Sequence, residues 1–209
     1  MKKLAYVCIA LLSFCRYAQG QTVKTNENFR TNFFFAGYEI AIPNNTSYLT
    51  KTSWSGARVD FHRMVTPNVS VGFGISFNSF EQYFDKQTYQ RSDQTGAITG
   101  DMVRQVYTSP LTISTHYYFK GDVVKPYVGI GLGAQYSSQN AYFNIYEVKF
   151  NNWGFVARPE IGLMGNLSSN ISGFASVAYN YATNHNSLFN INHLSQIPIT
   201  VGIVFNPDY

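Results

Sequence analysis

The chain has 209 residues, 45% of them hydrophobic and 17% aromatic, with 15 lysines and arginines against 11 acids. It contains no run of 18 apolar residues, so no membrane-spanning helix is expected. The formal charge of +4 sits mostly in the first segment, which leaves no basic stripe for nucleic acid.

Residues 1–20, MKKLAYVCIALLSFCRYAQG, join two lysines to an apolar stretch at 4–14 and end in Ala18-Gln19-Gly20. This is the make-up of an export signal, with small residues where a signal peptidase reads. Cleavage is expected between Gly20 and Gln21, with residues 21–209 as one domain. A lipoprotein signal is the competing reading because Cys15 follows the apolar run, but Phe14 is too bulky for the residue before a lipidated cysteine. Cutting the signal removes Lys2, Lys3, Arg16, Cys8 and Cys15. What remains has 12 basic residues against 11 acidic ones, a net charge of +1 and no cysteine, so disulfide and thiolate chemistry are excluded.

Beyond the signal, apolar and polar residues alternate with period two in eight segments: 30–42, 52–65, 69–84, 104–119, 126–138, 150–165, 171–183 and 195–206. Most reach ten residues or more, longer than the five or six common in soluble sheets and suited to tilted membrane strands. No helical period interrupts them. The connections alternate in length. Those after the second, fourth and sixth segments are short (66–68, 120–125, 166–170), and those after the first, third, fifth and seventh are longer and polar (43–51, 85–103, 139–149, 184–194). Short turns at one end and long loops at the other are the pattern of an outer-membrane barrel, with turns in the periplasm and loops outside. The expected fold is therefore all-β, an eight-stranded antiparallel up-and-down transmembrane β-barrel located in the cell outer membrane.

Glycines at 129, 131 and 133 recur with the period of a strand. A dinucleotide-binding loop would need a helix at the third glycine and an acid about 20 residues on, and neither follows, so no cofactor is expected. The charged residues share parity with the glycines: Glu39 with Gly37, Arg58 and Asp60 with Gly56, Arg158 and Glu160 with Gly154 and Gly162. That parity is explained if this face lines a narrow lumen, where glycine makes room for long neighbours and lets the sheet coil. Val128, Ile130, Leu132, Ala134 and Tyr136 then face outer-membrane lipid. A soluble barrel would turn its apolar face inward instead. Three residues fit less simply: Pro159 and Pro198 fall inside strands, where bulges are expected, and Trp54 takes inward parity.

The stretches KPYVGIGLGAQY (125–136), RPEIGLMGNLSSNISGFASVAYNYA (158–182) and PITVGIVF (198–205) resemble the porin-like outer-membrane β-barrel family common in Bacteroidota, similar in architecture to the OmpA and OmpX barrels. The resemblance implies insertion by the barrel-assembly machinery, which reads a terminal aromatic; Phe205 and Tyr209 both qualify.

Arg58, Asp60, Arg158 and Glu160, with Glu39 nearer the outside, form the strongest constellation. The second and sixth strands lie on opposite sides of the barrel, so these side chains are expected to meet across the lumen. Buried ions must be paired and an eight-stranded barrel is just wide enough to be filled by side chains, which favours a charge-balanced plug. The alternative is a constriction for a small solute. A lipid-modifying enzyme is the third reading. Its nearest candidates, Ser114 with His116, point inward, away from lipid, so no catalytic residue is assigned. His62 is expected near His116 low in the barrel, and two histidines without a third ligand make a poor metal site. His185 and His193 read as loop residues. Trp153, Phe155, Tyr179 and Tyr181 at the outer end and Tyr117, Phe119 and Phe205 at the inner end have outward parity, as interfacial aromatic girdles require. The loop at 85–104, with three acids and three bases, is the candidate contact for an extracellular partner. The favoured reading is a monomeric, non-enzymatic structural or surface-interaction barrel.

Overall fold

The computed structural model describes residues 32–44, 48–90, 96–121, 123–143, 146–168, 170–187, 189 and 191–206. The expected export signal and Tyr209 lie outside the described residues. Nine strands form in chain order: β1 (Asn32–Asn44), β2 (Ser55–Thr66), β3 (Val69–Gln90), β4 (Ala97–Tyr118), β5 (Val124–Phe143), β6 (Tyr146–Asn166), β7 (Ile171–Ala178), β8 (Asn180–Ala182) and β9 (Leu194–Phe205). Each strand from β1 to β6 pairs antiparallel with the next, β7 and β8 both pair with β6 and β9, and β1 pairs with β9, which closes the sheet on itself. Closure removes the free edges that an open sheet would present.

The seventh segment of the sequence appears as two strands because of its neighbours. β7 and β8 keep one register against β6 and one against β9, so together they fill one position in an eight-stranded ring. By that register Pro159 lies opposite Tyr179, and Pro198 opposite Ala178. Neither proline has an N–H to give, and the ladder lapses between them while Tyr179 N still donates to Pro159 O at 3.0 Å. The bulges expected at these prolines do not form. Pairing runs unshifted through Pro159 against Ile130 and through Pro198 against Ala41. One residue too many is instead accommodated beside Trp54. Tyr38 pairs with Ala57 and Ala41 bridges Ser53, so β2's side holds the extra residue. The slip turns Trp54 outward, 68% exposed, which corrects its inward parity, and Tyr38 Oη donates to Trp54 O.

Alternation sorts the rest. Val71, Phe73, Ile75 and Phe77 are exposed while Ser70, Ser76 and Asn78 are buried, and the other strands repeat this apolar-out order. The inner glycines make the space expected of them. A Cβ on Gly74 would run into the Asp60 carboxylate, one on Gly129 into the His116 ring, and one on Gly162 into the Tyr127 ring.

In two of the four long connections strand pairing continues through most of the described residues. β3 and β4 stay paired from Val69↔Tyr117 to Gln90↔Ala97, and β5 and β6 from Val124↔Gly165 to Phe143↔Tyr146. The described residues 85–90, 97–103, 139–143 and 146–149 therefore extend hairpins rather than form loops, with β-branched and aromatic residues such as Val103 and Tyr142 among them. The last rung between β2 and β3 is Ser55↔Ser79, so β3 runs on for about 35 Å of strand at roughly 3.3 Å per residue. Among the described residues, 83–90 pair with β4 alone and 146–151 with β5 alone. The four strands β3 to β6 thus stand past the rim as an open sheet.

Inside the ring are two apolar clusters. The one at the turn end contains Phe35, Tyr118, Tyr127, Met164, Phe174 and Val204. The one at the loop end contains Tyr48, Leu49, Phe80, Val106, Ile191 and Leu194, with Phe189 packed on it. Tyr48, Leu49, Phe189 and Ile191 come from the other two connections, whose described residues bring them in over the lumen.

Candidate functional site

Between the clusters lie the charges. Arg58 and Asp60 are two apart on β2, Arg158 and Glu160 two apart on β6, and Glu39 is on β1, so each points inward at similar height. All are buried, with Glu39 wholly so. They meet across the lumen as expected, but the pairing is crossed. Arg58 reaches over to Glu160, and Arg158 Nη2 lies 2.7 Å from Glu39 Oε2 and its Nε 3.5 Å from Glu160 Oε2. Arg58 Nε is 2.6 Å from Asp60 Oδ2, yet Asp60 Oδ2 has no aligned hydrogen-bond donor. That contact is coulombic rather than directional.

Neutral donors complete the set. Asn78 Nδ2 donates to Glu39 Oε1 at 2.7 Å, Thr200 Oγ1 to Glu39 Oε2 at 2.9 Å, and Tyr127 Oη to Glu160 Oε1 at 2.8 Å. Arg158 Nη1 donates to Ser76 Oγ at 3.3 Å. Three carboxylates thus face two guanidiniums, with neutral hydroxyl and amide groups donating to Glu39 and Glu160. Such a layer crosses the lumen and ties β1, β2, β3, β5, β6 and β9 together.

Toward the turn end His62 and His116 stack with centroids 4.1 Å apart, and Tyr127 stacks on the far side of His116 at 4.9 Å. His62 Nδ1 is 3.0 Å from Ser70 Oγ and His62 Nε2 is 3.1 Å from Ser114 Oγ. Ser114 therefore joins His62 over Gly72, the β3 residue paired with both, and not His116, whose Nδ1 faces Tyr118 Oη at 3.4 Å. Both nitrogens of His62 meet serine hydroxyls, so no carboxylate orients this ring as a nucleophile's base requires. Among the described residues no group of three or more histidines, cysteines or acids is arranged to hold a metal ion.

Toward the loop end an amide layer follows, which the sequence pattern did not mark out. Gln135 Nε2 donates to Asn184 Oδ1 at 3.2 Å, Asn184 Nδ2 to Gln135 O at 3.1 Å, and Asn186 Nδ2 to Gln139 Oε1 at 2.6 Å. Over it lies the apolar cap. Tyr48 Oη donates to Asn140 O at 2.9 Å, and Arg104 stacks on the rings of Tyr48 and Phe84 at 4.8 and 4.3 Å. Burial pushes the Tyr48 hydroxyl well above the range of a free phenol, with Arg104 pulling the other way, so it remains a protonated donor. A gap beneath the cap, lined by Tyr48, Leu49, Phe80 and Thr108, measures about 20 Å³, room for one water and little more. The signal for the cap was present as Tyr48-Leu49 and as Phe189 and Ile191, apolar residues inside largely polar connections.

The remaining candidates are on the outer wall. Trp153, Phe155, Tyr179 and Tyr181 are exposed toward the loop end, and Tyr117, Phe119 and Phe205 toward the turn end. His193 packs on Tyr181 at 5.2 Å, and His185 O accepts from Asn152 Nδ2 at 2.7 Å.

No protein-family model matches the chain, and no curated protein matches it. Solved structures do. Ail, the attachment invasion locus protein of Yersinia pestis, aligns at TM-score 0.54 and 14% identity over 86% of this chain and 99% of that one. Neisserial surface protein A aligns at 0.55 and 14% over 87% and 99%. A major outer-membrane protein of Thermus thermophilus aligns at 0.55 and 10% over 83% and 99%. At these identities the likeness is one of architecture, and the chain has the fold of the small outer-membrane β-barrels.

Proposed function

We propose that this is a non-enzymatic barrel of the outer membrane with a closed lumen, and that the open sheet of β3 to β6 beyond the rim is its working surface for contact with an external partner. The continuation of β3 past its last rung with β2 carries this reading. A plug or anchor needs no such extension, whereas a projecting sheet offers unpaired backbone groups at 83–90 and 146–151 and exposed side chains such as Tyr83 and Val148 to a partner. The outward aromatics support the membrane placement, since they lie where girdles belong. Ail and Neisserial surface protein A, which share the architecture, carry names that speak of attachment and of the cell surface. The three quoted motifs support a place among the porin-like barrels of Bacteroidota. Enclosure of Ser114 and His62 supports a structural role for that pair.

The test is cell adhesion. Cells displaying the protein should adhere to a protein-coated surface or to one another, and a variant in which a two-residue turn replaces residues 85–101 should lose this while still shifting on a gel when heated. Equal adhesion by the two would refute the role of the sheet.

A further inference from the structure

Among the described residues two strand edges stand free past the rim, that of β3 at 83–90 and that of β6 at 146–151. They are not equivalent. The β3 edge is interrupted where Phe84 pairs with Met102 and Gln87 with Gly100, so that Asp85 and Lys86 stand against Asp101 alone. A bulge carrying exposed charges is how sheets blunt an edge against further pairing. The β6 edge has no such interruption, since its register against β5 runs unshifted from Gly165 to Tyr146.

The ring shows which backbone groups that edge presents. Phe155 O accepts from Thr183 N and Pro159 O from Tyr179 N, so odd-numbered residues of β6 turn their N–H and C=O away from β5. With no shift in between, Glu147 and Lys149 present theirs at the open edge. An antiparallel strand docks there with residues of that same orientation opposite one another. For a second β6 this leaves registers centred on 147, 148 or 149, where all three side chains are exposed. Centring on 147 sets Glu147 against itself, and centring on 149 does the same for Lys149, and like charges directly opposite destabilise a pair. Centring on 148 sets Glu147 opposite Lys149 twice, with Val148 against Val148.

We propose that the β6 edge docks antiparallel on the β6 edge of a second copy carried by a facing cell, with Glu147 and Lys149 paired in both directions. This rests on the reading of the projecting sheet as the working surface and names its partner. The contact is isologous, the same patch meeting itself about a two-fold axis. β6 runs from the loop end toward the turn end, so a strand antiparallel to it belongs to a barrel inverted relative to this one. Copies in one membrane share one orientation, and the pairing therefore joins two membranes. A few rungs hold weakly alone, but many copies on two apposed surfaces act together.

Clumping of cells that display the full chain tests this, with the gel shift on heating used to confirm that each variant folds. Glu147→Lys sets two positive charges against each other at both contacts, and Lys149→Glu sets two negative ones, so cells carrying either alone should lose clumping. Mixed together, the two kinds of cell should clump again, because each reversed charge now meets its opposite. Cells carrying both substitutions in one chain should clump for the same reason. Single variants that clump like the unmodified protein, or a mixture that clumps no more than its components, would overturn the second copy as partner. That result with adhesion to a protein-coated surface retained would leave the sheet as the working surface and assign its edge to a different protein. Equal adhesion by the variant with a turn in place of 85–101 would instead overturn the reading of the sheet itself.

Discussion

Arg58 and Arg158 look equivalent in the sequence, yet their surroundings predict different costs of removal. Without Arg158, Glu39 keeps its donors Asn78 and Thr200, and Glu160 keeps Arg58 and Tyr127. Without Arg58, Asp60 loses its one ion-pair partner among the described residues, and Glu160 is left with Tyr127 and the more distant Arg158. Breaking a buried ion pair costs about 3 to 5 kcal/mol because a desolvated charge is stranded. Arg158→Met should therefore fall near the lower figure and Arg58→Met near the upper. The partner identified by the geometry also predicts a coupling. Combining Arg158→Met with Glu39→Gln removes the stranded charge, so the double variant should cost less than the sum of the singles by about 1 to 3 kcal/mol. Urea unfolding in lipid vesicles, followed by the fluorescence of the outward-facing Trp54 and Trp153, measures the three single variants and the double variant against the unmodified protein. Additive losses, or a larger cost for Arg158→Met than for Arg58→Met, would refute the crossed network.

Two further outcomes follow from the faces of the wall. Ile130→Arg, on the exposed side of β5, should destabilise the barrel in bilayers by about 2 to 4 kcal/mol, and an unchanged unfolding midpoint would mean that this face does not meet lipid. Gly74→Ala should cost about 1 to 3 kcal/mol because its methyl runs into Asp60, while Gly100→Ala, whose Cβ meets nothing within 4 Å, should leave the midpoint where it is; equal effects would contradict the packing.

The features visible in the sequence are those that depend on period two. Parity placed Glu39, Arg58, Asp60, Arg158 and Glu160 on one face, and closure of the ring brought them together. Parity also put His62 and His116 in the lumen. It carries no information on which groups of equal parity meet inside a barrel. That depends on stagger between strands, and so Ser114 pairs with His62 and Arg158 with Glu39. Polar composition misled at residues 85–90 and 97–103, because a strand that extends past the barrel rim no longer needs an apolar face and reads like a loop. The prolines misled in the opposite sense. A lost donor suggested a bulge, but Pro159 and Pro198 flank a single gap in the same strand, and a lapse of the ladder between Ala178 and Asn180 absorbs both without a shift of register. The cap was the hardest to foresee, since a few apolar residues in a loop say nothing about the direction in which the loop folds.

The central claim is that charge network, amide layer and apolar cap together close the lumen. Single-channel recording of the refolded protein in a planar bilayer tests it most directly. The filled lumen predicts insertion without stepwise current across the accessible voltages. Steady, ion-selective conductance steps from the unmodified protein would contradict it and would make Arg58, Asp60, Arg158, Glu160 and Glu39 the lining of a pore.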